Sequence, residues 1–331
     1  MDSFTQIVLG IAVAEVCAGK ELKNKTFLYG AILGTIPDLD VVVGSFMTDV
    51  DGVYIHRGIS HSLFLFLFLS PIFGWLISKI EKHKISFKKA SWMAFWGLFT
   101  HVLLDLFTSW GTQVLWPLET RFAFKTIFVI DPLYTVPLLI SLIFVWRNKD
   151  HLLRIKHVKR GLIISSSYLV LTVFVKLYAL NQFEKTLENQ GVSYSEIIVK
   201  PTAFNIILWN ANVAIDGAYL LGDFSLFDSQ PISFKRYSKN ETVELKLKEN
   251  PDFKKLQKIS EGWYLISEKE DNLYFNDLRF GLLNDNPANP QFAFSYQFIK
   301  TDKGIIAVEV MKEKRDGKAL LAKVFKRLKG N

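Results

Sequence analysis

The chain carries two different rhythms of hydrophobic and polar positions, and they change over near residue 180. Before that point apolar residues run in long blocks, and after it they fall into short stretches between polar ones. A membrane-spanning helix needs about 20 mostly apolar residues. Six blocks approach that length, at residues 4–18, 27–46, 61–78, 90–110, 127–146 and 161–180. The first is short enough for a re-entrant or interfacial helix, and the second is interrupted by Pro37-Asp38-Leu39-Asp40. Beyond residue 180 a polar helical exit at 181–191 leads to stretches rich in β-branched and aromatic residues. These lie at 194–200, 204–215, 218–227, 263–268, 273–282, 292–299 and 305–311, and they read as strands. A short helix is expected at 251–260. A basic amphipathic helix is expected at 314–329, with Leu320, Leu321, Val324, Phe325 and Leu328 along one stripe. The pattern therefore predicts an α-helical multi-pass membrane domain of five to six apolar helices over 1–181, followed by a soluble α+β domain over 182–331.

Charge gives these blocks a direction. The net charge is +8, and many of the lysines lie in short segments between apolar blocks, which suits a lipid bilayer as partner and not a nucleic acid. Segments 20–25, 79–89 and 147–160 are strongly basic, whereas 38–60 and 111–126 are acidic or nearly neutral. Basic segments favour the cytoplasmic side. The alternation then puts residues 38–60, 111–126 and 182–331 outside the cytoplasm of a bacterial inner membrane. The single Cys17 excludes an intrachain disulfide and a cysteine-based zinc site. Met1-Asp2-Ser3 lacks a basic leader region, so no cleaved targeting peptide is expected.

On this topology the unusual polar residues converge on one face. Ionisable residues within membrane segments are costly and default to functional hypotheses. Of the six histidines, His56, His61 and His101 adjoin apolar blocks. His101 and Asp105 stand four residues apart, so a helix presents both on one face, the spacing for two ligands of one ion. The plain alternative is a histidine bonded to its own helical neighbour. His56 and His61 flank a turn that Gly58 would allow to fold back tightly. Asp38 and Asp40 offer two carboxylates that complete one site or hold a second ion; otherwise they are solvated residues of a helix-ending turn. Imidazole with carboxylate suits zinc, and a carboxylate-rich set also admits manganese, iron or magnesium. Asp40 is the candidate general base when it is not a ligand. Arg57 is the candidate anchor for an anionic substrate group, or else for a lipid headgroup. Asp131 is either a helix cap or a partner that orients a histidine.

These residues form a pattern that resembles a family of bacterial membrane-bound metal-dependent hydrolases, described as LexA-binding and inner-membrane-associated. The resemblance rests on Met1-Asp2-Ser3-Phe4-Thr5-Gln6 with Gly10, Gly34-Thr35-Ile36-Pro37-Asp38-Leu39-Asp40, His56-Arg57-Gly58-Ile59-Ser60-His61-Ser62 and His101-Val102-Leu103-Leu104-Asp105. Thr108-Ser109-Trp110-Gly111-Thr112 and Asp131-Pro132-Leu133-Tyr134 complete it, so that it covers about the first 135 residues. It implies a multi-pass bacterial membrane protein with metal-dependent hydrolase activity. Some members carry His where Gln6 stands, so no N-terminal ligand is implied here.

Three functions use the same ligands. The first is a divalent-metal hydrolase acting at the membrane face, on a lipid or lipid-linked phosphoester, with Asp38, Asp40, His56, His61, His101 and Asp105 as ligands. The second is a metal-binding or transport protein without catalysis, and the third a membrane anchor for the C-terminal domain with a structural metal. Few polar residues continue along the other halves of the blocks, which argues against a transport path.

Overall fold

Helix α1 (Ser3–Leu22) starts where Asp2 accepts the Thr5 amide, and it ends at Lys23, whose φ of 50° breaks the helical geometry. It is apolar on nearly all sides and buried along most of its length, as a helix surrounded by others must be. Helix α2 (Lys25–Thr35) follows and packs against it at glycines. A Cβ on Gly30 would stand 2.5 Å from Ile11 Cα, and one on Gly34 would stand 2.5 Å from the Gln6 carbonyl oxygen. Only glycine permits this backbone approach. Pro37 then cannot continue the helix, and the chain tightens into a 3-10 turn at Ile36–Leu39 before the short α3 (Asp40–Gly44) and α4 (Asp49–Ile55). A second 3-10 turn, Ile59–His61, leads to Ser62, which caps α5 (Leu63–Ile80). Ser86 caps α6 (Phe87–Asp105), and Asp131 caps α7 (Pro132–Arg147), with Pro132 in its favoured first-turn position. Helix α8 runs from His151 to Asn189.

The computed structural model describes residues 1–284, 290–302, 304–310 and 317–331. They form two compact units. The first comprises Met1–Val41, His56–Phe174 and Ala203–Asn205, and the second comprises Val42–Ile55, Val175–Thr202 and Ile206–Asn331. A single cut at residue 181 therefore does not separate them. Residues 42–55 belong to the second unit because Val50 is buried with Val243, Leu247, Phe253 and Phe275.

The first unit has two apolar cores on either side of α1. One gathers Val8, Ile11 and Ala12 with Leu138, Leu142 and Val158. The other gathers Ala14, Ala18 and Leu33 with Phe66, Met93, Leu98 and Val102. Segments Ser3–Leu22, Lys25–Gly44, Leu63–Ile80 and His151–Asn189 are long and apolar enough to cross a membrane, and Pro132–Arg147 is shorter. Large apolar side chains on α5 (Phe64, Leu67, Phe68, Trp75) and α8 (Ile163, Ile164, Phe174, Leu177) are exposed. Such a surface is suited to a bilayer.

Several expected boundaries moved. The block at 90–110 is a helix only to Asp105. It begins with Lys88 and Lys89 and buries His101 and Asp105 at its other end, so its hydropathy falls below that of its neighbours. The block at 127–146 becomes helical only at Pro132. The basic segment 147–160 is largely the first turns of α8, since nothing between His151 and Asn189 interrupts helical hydrogen bonding.

The second unit holds two four-stranded antiparallel sheets. The first is ordered β1 (Glu196–Pro201), β2 (Leu208–Ile215), β3 (Ala218–Ser225) and β4 (Phe234–Ser238). Helices α9 (Glu241–Leu245) and α10 (Pro251–Ile259) precede the second sheet, ordered β5 (Tyr264–Lys269), β6 (Asn272–Asn284), β7 (Gln291–Thr301) and β8 (Gly304–Glu309). Helix α11 (Gly317–Leu328) closes the chain. Seven of the eight strands lie where the sequence pattern puts them, within a few residues. Strand β4 was missed because it is a short edge with outward Lys235 and Arg236, the composition that edges use to avoid further pairing. The expected ends at Met311 and at residues 314–316 lie outside the described residues.

Candidate metal centre

Three chain segments meet at the ends of their helices. Asp38 sits in the proline turn after α2, His61 in the turn before α5, and His101 and Asp105 one turn apart at the end of α6. The close α1–α2 contact at Gly30 and Gly34 brings the α2 backbone against α6, and the Gly34 carbonyl accepts a 2.7 Å hydrogen bond from His101 Nδ1. A carbonyl only accepts, so Nδ1 carries the hydrogen and the neutral ring keeps its lone pair on Nε2. His61 is set similarly. Ser60 Oγ donates to Asp40 Oδ2 at 2.6 Å, so the 2.9 Å contact between Ser60 Oγ and His61 Nδ1 takes its hydrogen from the ring.

Both Nε2 atoms then face the same small space. His61 Nε2 is 3.5 Å from Asp38 Oδ1 and 3.4 Å from Asp105 Oδ2; His101 Nε2 is 3.4 and 3.6 Å from the same two atoms. Charge-assisted hydrogen bonds are shorter, about 2.7–2.9 Å. Neighbouring ligands of a tetrahedral zinc with bonds of about 2.1 Å stand about 3.4 Å apart. His61 Nε2, His101 Nε2 and Asp105 Oδ2 are buried and have no hydrogen-bond partner among the described residues. Three orphaned groups of this kind are costly, and they fit a cation that takes all of their lone pairs.

Asp105 is held by its other oxygen. Oδ1 accepts from Gln6 Nε2 at 3.0 Å, lies 3.2 Å from an Arg57 terminal nitrogen, and pairs with the Met1 amino group. This corrects one expectation. Arg57 is buried, and its fork is turned to Asp105 and to Thr108 Oγ1 at 3.0 Å, not outward to a substrate anion. Gln6, passed over as a ligand position, also donates to the His101 carbonyl at 3.1 Å and so ties α1 to the end of α6. Its signal in the sequence was an amide side chain inside an apolar block.

Asp40 and His56 lie beside this set. Asp40 Oδ1 is 2.9 Å from His56 Nδ1, and Oδ2 accepts from the Arg57 amide at 2.9 Å as well as from Ser60. With both oxygens engaged, Asp40 is placed as an orienting group more than as a free general base. Burial, only partly offset by Asp40, holds the His56 imidazole below its ordinary range and so in its neutral, ligating form. Ligand atoms of Asp38, Asp40 and His56 lie within 4.8 Å of one another, as do those of Asp38, His61, His101 and Asp105. The residue of the turn with positive φ is Arg57, at 59°, whereas Gly58 has φ −88°. Asp131 orients no histidine: it caps α7 and accepts the Tyr168 hydroxyl at 2.8 Å.

A helical unit with lipid-suited faces and a buried His/Asp cluster at the ends of its helices defines a class of helical membrane protein with a candidate metal centre. Residues 1–183 match the model of the YdjM inner membrane protein family, and the chain belongs to that family. The match and the apolar helices support an inner-membrane location. No curated protein and no solved structure matches the chain.

Proposed function

We propose that the chain is a divalent-metal-dependent hydrolase working at one face of the bacterial inner membrane, with a lipid or lipid-linked phosphoester as substrate. One observation carries the reading: four ligand atoms from three separate chain segments converge, and three of them are buried without a partner. Two imidazoles and two carboxylates suit zinc first, with manganese, iron or magnesium as the harder alternatives. When bound, such an ion supplies Lewis acidity and an ionised water at neutral pH. The chain's own residues hold the ligands. Gly34 orients His101, Ser60 and Asp40 orient His61, and Arg57 with Gln6 turns Asp105 so that Oδ2 faces the cluster.

The test is metal content of the full chain purified in detergent, alongside His61→Ala and His101→Ala, with phosphate release from phospholipids and lipid-linked phosphoesters as the activity readout. A bound divalent ion that both variants lose, together with ion-dependent release, supports the proposal; equal metal content in all three overturns it. A second reading, a structural ion, draws on the closure of the set, because four protein ligands fill a tetrahedral zinc site. That reading is favoured if removal of the ion unfolds the protein and no phosphoester is cleaved.

The basic segments also support an orientation in which residues 182–331 are extracytoplasmic. Compartment-sensitive reporters fused after Leu180 and within 82–87 should report opposite sides, and matching reports would reject this orientation.

A further inference from the structure

The two ligand groups differ in exposure, and the difference bears on where chemistry could occur. The side chains of His61, His101 and Asp105 are 0% exposed, whereas those of Asp38, Asp40 and His56 are 17%, 8% and 20% exposed. An ion held by Asp38, His61, His101 and Asp105 has four protein ligands, three of them fully buried, the arrangement of a structural site. Catalytic sites instead have about three protein ligands and an open position.

We infer that the centre is dinuclear: the buried group holds one ion, and Asp38, Asp40 and His56 hold a second, solvent-accessible ion, with the Asp38 carboxylate bridging the two. This rests on the metal-dependent reading above and deepens it, since the second ion is the one a substrate could reach. Asp38 belongs to both groups. Its Oδ1 faces the His61 and His101 nitrogens, and a carboxylate has a second oxygen to share. Bridged ion pairs of hydrolytic enzymes stand about 3.5–4 Å apart, a span one carboxylate covers.

The outer group is shaped for an ion in two further respects. Asp40 Oδ1 and His56 Nδ1 are 2.9 Å apart. Neighbouring ligands on an octahedral ion with bonds of about 2.1 Å stand about 3.0 Å apart. An ion there would take the place of the hydrogen between Nδ1 and Oδ1, and the neutral ring would carry that hydrogen on Nε2 instead. Asp40 Oδ2 is meanwhile held by Ser60 Oγ and the Arg57 amide, so Oδ1 is fixed in direction against the His56 ring. Three protein ligands leave the remaining positions to water or substrate. The oxygen-rich set suits zinc or manganese.

The experiment is metal uptake by the full chain in detergent. Chelator-stripped protein is dialysed against zinc, and separately against zinc with manganese, and bound metal per chain is measured for wild type, His56→Ala, His56→Gln, Asp40→Asn and His101→Ala. The proposal expects two ions in wild type and one in the His56 and Asp40 variants, each eluting as a folded species. It expects the buried ion to be lost in His101→Ala. The two substitutions at His56 guard against misfolding of either. One ion in wild type that the His56 and Asp40 variants keep overturns the second site and leaves the buried one standing. No ion in wild type overturns both.

Discussion

The helical unit contains two buried clusters of opposite charges, and they differ in one respect. In the first, Glu15 of α1 takes Arg154 of α8 in a two-point grip, with Nε to Oε1 at 2.8 Å and a terminal nitrogen to Oε2 at 2.6 Å. Thr26 adds a 2.6 Å hydrogen bond to Oε2, and the other terminal nitrogen of Arg154 reaches Asn24 and the Val145 carbonyl. Every group has its partner. In the second cluster, three buried atoms of His61, His101 and Asp105 have none. Both clusters bear the cost of removing charge from water. The first offsets it internally and needs nothing more than the fold. The second is complete only with something added, which is why the functional reading belongs there and the structural one to Glu15 and Arg154.

The comparison breaks most readily at Arg154. Arg154→Ala leaves Glu15 buried and unpaired, and should lower stability by about 3–5 kcal/mol. Thermal unfolding in detergent measures this. Replacing both Glu15 and Arg154 with Met removes both charges and should lose much less. An Arg154→Ala protein as stable as wild type would mean that the cluster is not closed as described.

Zinc should separate the clusters next. A ligand at 100 times its dissociation constant stabilises the folded state by about 2.7 kcal/mol. Wild type and the Glu15/Arg154 double variant should both gain stability with zinc, whereas His61→Ala and His101→Ala should not. A zinc response retained in the histidine variants would place the ion elsewhere.

Arg57→Lys sharpens the picture of the incomplete cluster. Lysine keeps the charge but cannot hold Asp105 and Thr108 through one planar fork. Partners that orient a ligand are worth about 10- to 100-fold in metal affinity. Competition with a chromophoric chelator should therefore show zinc binding weakened by about that factor but not abolished. Unchanged affinity would mean that the guanidinium fork does not position Asp105 for the ion.

The smallest effect is expected at a largely covered pair in the second unit, its side chains 26% and 2% exposed. Arg327 of α11 grips Asp228 at 2.5 and 2.6 Å. Burial opposes ionisation of Asp228, but Arg327 outweighs it and holds the carboxyl below its usual range. A carboxyl with a depressed folded pKa adds stability above its unfolded pKa of about 3.9, and that stability is lost as pH falls through the folded value. Asp228→Asn should cost about 0.5–1.5 kcal/mol at neutral pH. Melting curves of wild type and variant should draw together as pH falls below about 4. A gap that widened in acid would contradict the assignment.

How far the sequence could be read varied by residue. His101 and Asp105 were legible because a four-residue spacing in a helix puts both on one face whatever surrounds it. Asp38 and His61 were legible as polar residues at the ends of apolar blocks. Arg57 was identified but given the wrong direction, since nothing in its local pattern says that a guanidinium 48 positions before Asp105 will face it. Ser60 and Gly34 went unnoticed as supports, because each acts through one hydrogen bond that exists only once the segments have met. Glu15 gave the clearest neglected signal, a carboxylate inside an apolar block. Its partner was hidden in a segment that looked like a basic loop and turned out to be helix.

By itself the sequence determined the apolar helices, the strands and the list of residues able to bind metal. These follow from local rules: the length of an apolar run against the thickness of a bilayer, the alternation of side chains along a strand, and the chemistry of imidazole and carboxylate. Only the tertiary structure decided which of those polar groups are satisfied. Partnership in a buried cluster depends on atoms from distant segments approaching within about 3 Å, and no local pattern specifies that distance. Arg154 and Thr26 close the cluster around Glu15, whereas the Gly34–His101 hydrogen bond holds His101 with its Nε2 unpartnered among the described residues.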